Sequence, residues 1–255
     1  ANIGGEQFLL DCMTPTYGTV AEASQYVVRR QAFNVSPAHE GADALPAAVD
    51  HRAAGTEGPV RNQGPVGACT AFSFATAIDH AIATTTSKPG NVSVMQVWAR
   101  YHVPSMQDAT SSNKGKSLGN ESAWPYDKVD ACKYWSGGGC DCGSMLNVSC
   151  QQPVDSQKLG QLDSAQTAKV TNVTRLPDGD ISEIKATIAK GQDVWFAMWV
   201  DDAFQSVKGS PAVIPDGDFR HSGSGHAMVL SGYKTQGNGT YFLIHNSWGP
   251  KWGDG

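Results

Sequence analysis

From Cys69 onward the apolar positions leave almost no polar face: Ala71, Phe72, Phe74, Ala75, Ala77, Ile78, Ala81 and Ile82 wrap round one helical axis. A helix that is apolar all round is buried on most sides, which places it near the middle of a domain. Pro59, Gly64, Pro65 and Gly67 exclude regular structure ahead of it, so a loop feeds the helix, and Pro89 and Gly90 close it after the threonines at 84–86. Ser93-Val94-Met95-Gln96 is a capping-box pattern, with Val94, Val97, Trp98 and Tyr101 as the core face of a helix running to about His102. Residues 103–120, rich in Ser, Gly and Lys, read as loop. Asp180 to Glu183 opens a short amphipathic helix through Ile184 and Ile188 that Gly191 stops. The pattern then changes: 194–200, 227–233 and 241–245 are rich in Val, Trp, Phe, Met and Tyr and read as strands, with a flexible loop over 217–225 between the first two. A helical first half followed by a strand-rich second half predicts an α+β fold.

Residues 1–44 read as a separate piece. Gln7-Phe8-Leu9-Leu10 suits a short strand, Thr19-Val20-Ala21-Glu22 reads as a capping box opening a helix to about Phe33, and 36–43 is a polar linker. The remaining 45–255 is long enough for one large domain or two lobes around a cleft.

Composition narrows the function classes. A net charge of −5 gives no basic footprint, so nucleic acid is not an expected partner. No run approaches the ~18 apolar residues of a membrane span. Six cysteines stand at 12, 69, 132, 140, 142 and 150, four of them clustered in a Gly-rich segment. Such a cluster is either two disulfides or a metal site. Cys140-Asp141-Cys142 is tighter than the usual zinc spacing and no histidine lies inside the cluster, which favours two disulfides and an oxidising, extracytoplasmic compartment. Cys140 and Cys142 are too close in sequence to bond to each other.

Cys69 stands where loop becomes helix. There the unpaired N–H groups and the positive end of the helix dipole favour an anion and lower a thiol pKa toward the reactive thiolate. Such a nucleophile needs a base. His226 is the best placed of the seven histidines, because it follows Gly223-Ser224-Gly225 and enters a strand that would hold its ring rigidly. His221 lies inside the loop, His39 in the linker, and His51, His80 and His102 read as surface or helix-edge residues. His245 adjoins Asn246, and neighbours on a strand face opposite sides.

Pro59-Val60-Arg61-Asn62-Gln63-Gly64 followed by Gly67-Ala68-Cys69-Thr70-Ala71-Phe72 resembles the nucleophile segment of papain-like cysteine peptidases, in the form of a bacterial branch with Thr70 in place of Trp. Leu45-Pro46 through Arg52 resembles the family's mature N-terminus and Trp124-Pro125-Tyr126-Asp127 its aromatic-Pro-Tyr signature. Gly225-His226-Ala227 and Asn246-Ser247-Trp248-Gly249 resemble its histidine and asparagine segments. Motifs in the family's order thus cover about 45–253. The resemblance implies a two-lobed fold with the active site in the cleft, a Cys69–His226–Asn246 triad, and Gln63 as oxyanion donor beside the Cys69 N–H. It also implies that Trp248 shields the His–Asn hydrogen bond, that Gly225 and Ala227 border the substrate, and that peptides or proteins are cleaved without a metal or organic cofactor. The backbone pair that binds substrate as an added strand has only Gly115 and Gly119 as candidates.

In this family the stretch before the mature start is a pro-segment, so residues 1–44 are expected to cover the cleft as an intramolecular inhibitor; the alternative is a packing arm. Cys12 is then the odd cysteine, either a buried thiol or a redox latch on Cys69. Val66 replaces a half-cystine common in the family, and relatives continue past Gly255 into a final strand. Two other functions fit the same resemblance: an acyltransferase using the thioester, and a non-catalytic binding module. The intact Cys69, His226, Asn246 and Gln63 argue against the latter.

Overall fold

The protein is described here by a computed structural model that covers residues 2–3, 6–7, 26–29, 45–137, 139–140, 142–164, 168–177, 180–209, 212–214, 224–237 and 239–254. Its axis is helix α1 (Cys69–Thr86), buried along nearly all of its length and closed by Ser87 in the left-handed conformation. Packed with it are α2 (Val94–Ala99) and α3 (Met106–Asn113). Trp98 anchors this lobe: it is wholly buried, and its Nε1–H donates to the Ala131 carbonyl at 2.9 Å. Ser93 caps α2 by accepting from the Gln96 N–H at 3.0 Å, as its sequence pattern predicts.

The second lobe is built on an antiparallel sheet. Strands β8 (Val194–Val200), β9 (Ser224–Gln236) and β10 (Gly239–His245) are neighbours, and β4 (Ala48–Asp50) joins the far part of β9. A Cβ at Gly232 would collide with the Val49 carbonyl where β4 approaches, so only glycine fits there. Strand alternation divides the core between the lobes. Trp195, Ala197, Ala227 and Val229 join the cluster around α1, while Val194, Phe196, Met228 and Leu230 face the cluster beneath α7 (Ile181–Ala189), which includes Ile184, Phe204 and Trp248. The sheet is therefore buried on both faces where it meets α1. The fold is α+β and two-lobed.

Two expectations fail. Residues 106–113 form α3 rather than loop: Ser105 accepts from the Asp108 N–H at 3.1 Å, and Met106, Ala109 and Asn113 bury one helical stripe. The loop reading rested on polar composition, but three residues on one face are enough once Arg100 Nη1 donates to Asn113 Oδ1 at 2.6 Å. Second, the helix expected over 19–33 contains a strand, β3 (Tyr26–Arg29), between β7 (Asn172–Arg175) and β8. Val27 and Val28 favour extended backbone, and a short helix with no packed face is marginal, whereas two sheet edges here supply partners on both sides. The remainder of that helix, the strand 8–10, the linker 36–43 and the loop 217–223 lie outside the described residues.

In the cysteine-rich segment Cys132 is bonded to Cys142 and Cys140 to Cys150. These links tie α4 (Lys128–Tyr134) to the short helix α5 (Gly143–Leu146) and the chain after it. Cβ at Gly143 would strike Cys140 Sγ, so the crossing of the two bridges requires glycine.

Candidate active site

The first turn of α1 carries Cys69, fully buried at the lobe boundary. Two hydrogen bonds pin that turn to the sheet: Ser73 Oγ donates to the Cys69 carbonyl at 2.7 Å, and Trp195 Nε1 on β8 donates to Ser73 Oγ at 2.7 Å. No side chain caps α1 at Ala68, whose carbonyl accepts from the Ala71 and Phe72 N–H groups at 2.9 and 3.1 Å. Across the boundary, the Ala227 N–H on β9 donates to Cys69 Sγ at 3.4 Å. The sulfur thus lies against the peptide unit that follows His226. It is held in a disulfide in this structure.

His226 Nε2–H donates to Asn246 Oδ1 at 2.7 Å. That bond fixes the tautomer, leaving Nδ1 as the lone-pair nitrogen, and Nδ1 is buried with no hydrogen-bond partner among the described residues. Trp248 stacks on the imidazole, with ring centroids 4.4 Å apart and planes 25° from parallel. The indole in turn meets Phe204 and Trp252 edge-on, and both Trp248 and His226 are buried. Burial pushes the His226 pKa down to about 4, against a smaller upward pull from Asn246.

This shift has a consequence for stability. The folded, disulfide-bonded protein keeps His226 neutral down to about pH 4, while the unfolded chain protonates it below about 6.5. Unfolding therefore takes up a proton within that window. The stabilisation is complete above pH 6.5 and falls by up to about 1.4 kcal/mol per pH unit as pH drops toward 4. Denaturant titrations of unreduced protein from pH 7 to 4 should show this slope, and His226→Gln should lack that share of it. Equal slopes for the two proteins would show that His226 does not titrate as described.

Gln63 lies in the loop before α1 and is fully buried. Its Nε2–H donates to the Val66 carbonyl at 2.9 Å, and its Oε1 accepts from Ser247 Oγ at 2.7 Å. The two bonds settle which end of the amide is the donor. Its backbone is held as well, with the Gln63 N–H on the Ser247 carbonyl at 2.9 Å and Tyr126 Oη donating to the Gln63 carbonyl at 2.9 Å. Ser247 thereby links the Gln63 loop to the strand end carrying Asn246 and Trp248. Sequence reading passed over this serine, because its role appears only when two segments far apart in the chain meet.

Of the residues expected to border substrate, Gly225 pairs with Trp199, and Ala227 is fully buried opposite Ala197. Gly115 and Gly119 do not suit the substrate-pairing role. The Gly115 N–H is spent on the Val170 carbonyl at 2.6 Å, while Gly119 donates to Gln96 Oε1 at 2.7 Å and accepts from the Ser93 N–H at 2.9 Å. His51 and His80, read as surface or helix-edge residues, are 5% and 1% exposed. They stand with Glu57 and Asp193 in a buried cluster at the lobe boundary. Their partners come from other parts of the chain, so no local signal reports them.

A profile of the papain family of cysteine proteases matches residues 45–255. The chain belongs to that family. It is 28% identical over 218 residues to the oryzain gamma chain of Oryza sativa subsp. japonica, covering 84% of this chain and 54% of that protein. It is 26% identical over 219 residues to cathepsin K of Mus musculus, covering 82% and 58%. The chain thus spans somewhat over half the length of these curated relatives. Among solved structures it resembles procathepsin L 3 of the Tenebrio molitor larval midgut (TM-score 0.64, 21% identity, 86% of this chain and 65% of that one). Xylellain, a cysteine protease from Xylella fastidiosa, gives TM-score 0.64 at 19% identity over 98% of this chain and 88% of that one. At these identities the structures speak for the fold, and no described helix is long and apolar enough to cross a membrane.

Proposed function

We propose that the chain is a cysteine endopeptidase acting on peptides or proteins outside the cytoplasm, kept latent by a disulfide on its own nucleophile. The observation that carries this is the His226 Nε2–Asn246 Oδ1 bond beneath Trp248, with Cys69 Sγ against the next peptide unit. Once the sulfur is a thiol, His226 Nδ1 is the nitrogen with a lone pair to take its proton. The thiolate attacks the scissile carbonyl carbon, and the carbonyl π electrons move onto oxygen. The Cys69 N–H and Gln63 Nε2 receive that oxyanion. As it collapses, the C–N bond breaks, His226 gives its proton to the leaving amine, and a thioester remains. Water then attacks the thioester with His226 as base, releasing acid and thiol. Neutral imidazole is the proper resting state while the sulfur is masked, because no thiolate is present to hold a second ring proton.

The mask needs a partner. Four of the six cysteines bond among themselves, no described cysteine is free, and Cys69 is bonded. The sequence leaves Cys12, which lies outside the described residues; our reading is that Cys12 and Cys69 form the latch and that residues 1–44 act as the intramolecular inhibitor. A dithiol would open it by thiolate attack on the S–S bond, becoming a disulfide itself as two electrons pass to Cys12 and Cys69. Neighbours solved as proforms agree with such a segment.

The test is a fluorogenic peptide library with and without dithiol. Turnover should appear only after reduction, an epoxide thiol inhibitor should then add its mass to Cys69, and Cys12→Ala should be active unreduced. Reduced protein that cleaves no peptide sinks the endopeptidase reading. Acyl transfer to added amines without hydrolysis would favour a transferase. Full activity of the unreduced parent would sink the latch alone.

A further inference from the structure

Four side chains from separate parts of the chain meet at the lobe boundary: His51 after β4, Glu57 in the next loop, His80 on α1, and Asp193 in the turn before β8. His51, His80 and Asp193 are 5%, 1% and 2% exposed. Each of the four offers one donor atom, and these atoms all lie within 4.8 Å of one another. Both imidazoles are committed in the same way. His51 Nε2 faces the Ile188 carbonyl at 3.1 Å, and His80 Nε2 faces the Gly191 carbonyl at 3.1 Å. A carbonyl only accepts, so each ring carries its proton on Nε2 and presents a lone pair at Nδ1. Those lone pairs meet carboxylate oxygens: His51 Nδ1 lies 2.8 Å from Asp193 Oδ1, and His80 Nδ1 lies 3.2 Å from Glu57 Oε1 without hydrogen-bond geometry. Asp193 Oδ2, also buried, makes no hydrogen bond of good geometry among the described residues.

Lone pairs facing carboxylates in a desolvated site call for positive charge between them. It can come as protons shared among the rings and carboxyl groups, or as one divalent ion. The rings are stacked, with centroids 4.4 Å apart and planes 15° from parallel, and two imidazolium cations so placed would repel each other. One divalent ion neutralises both carboxylates and leaves the imidazoles neutral. An imidazole that ligates through one nitrogen while its other N–H rests on a backbone carbonyl is the usual outer arrangement of a metal site.

We propose that His51, Glu57, His80 and Asp193 bind a zinc-class divalent ion. Two imidazoles with two carboxylates suit zinc or a neighbouring first-row metal, and the nitrogen donors disfavour calcium and magnesium. The ion would lie near the plane of each imidazole, so binding turns the two rings out of their stack. His80 is about 16 Å along α1 from Cys69, so the site serves the structure rather than the reaction. It fastens α1 of one lobe to the turn before β8 of the other. Of the four, Glu57 also borders an open pocket, together with Arg52, His245 and Asp254. Glu57 Oε2 is meanwhile held by His245 Nδ1 at 2.6 Å, which orients the carboxylate.

Protein produced in zinc-supplemented medium and purified without chelator or reductant should carry about one zinc per chain by elemental analysis. Asp193→Asn and His80→Gln should each lower that to below about a tenth. Stripping the wild type with chelator should lower Tm, and zinc or cobalt, but not magnesium, should restore it. Cobalt-loaded wild type should show the visible bands of a tetrahedral site, a readout that needs no variant to fold. Metal-free wild type whose Tm ignores zinc and cobalt overturns the proposal, as does zinc that persists at full stoichiometry in both variants. None of these measurements depends on peptide cleavage.

Discussion

Cys69→Ala is expected to lower kcat/KM of the reduced protein roughly 10⁶-fold, to the background of the assay. The loss is this large because the sulfur held against the Ala227 N–H is the proposed nucleophile, and alanine in its place can form no thioester. His226→Ala should cost nearly as much, and the double variant little more than either alone, because the thiol and its base act as one unit. The fold should survive. Ala71, Phe72, Phe74 and Ala75 supply the burial of α1, and the Ser73 bond to residue 69 uses its backbone carbonyl. Circular dichroism and peptide turnover together test this. Wild-type turnover by Cys69→Ala would refute the mechanism, whereas loss of both fold and turnover would leave Cys69→Ser to supply the test.

Gln63→Ala should lower kcat by about 10²–10³ with little change in KM, because the lost hydrogen bond is made to the oxyanion rather than to bound substrate. Gln63→Glu should be at least as damaging although it preserves size: a carboxylate places negative charge where the oxyanion forms. Ser247→Ala should show a milder loss of the same kind. Without the 2.7 Å bond from Ser247 Oγ, the Gln63 amide loses one of the two bonds that fix its orientation and keeps the 2.9 Å bond from Nε2 to the Val66 carbonyl. Single-turnover kinetics of the three variants give the answer. If Gln63→Ala raises KM and leaves kcat unchanged, Gln63 is a binding or packing residue and the oxyanion role is wrong.

Much of the candidate site was proposed before any coordinates. The loop-to-helix junction at Cys69 is local, and so are the caps at Ser93 and Asp180, whose side chains accept from the N–H three residues on at 3.0 Å in both cases. The strand 194–200 follows from its unbroken apolar run. Gln63, His226 and Asn246 came from motif order, since nothing in their immediate neighbours marks them. What stayed hidden has one cause. Ser247, His51 and His80 act through partners more than a hundred residues away: Gln63 Oε1 for the serine, and the Ile188 and Gly191 carbonyls for the two histidines.

The sequence by itself determined what is settled within a turn or two of chain: the central apolar helix, its leading loop, the capped helices, the strand-rich second half and the position of the candidate nucleophile at the loop-to-helix junction. Tertiary structure decided which segments became partners. It made 106–113 a helix by giving Met106 and Ala109 a surface to cover, and made Tyr26–Arg29 a strand by offering two edges. It also buried charged groups that sequence alone would leave in water. A residue's exposure and protonation depend on what the rest of the chain places around it, and burial energy is spent between segments that local sequence cannot see.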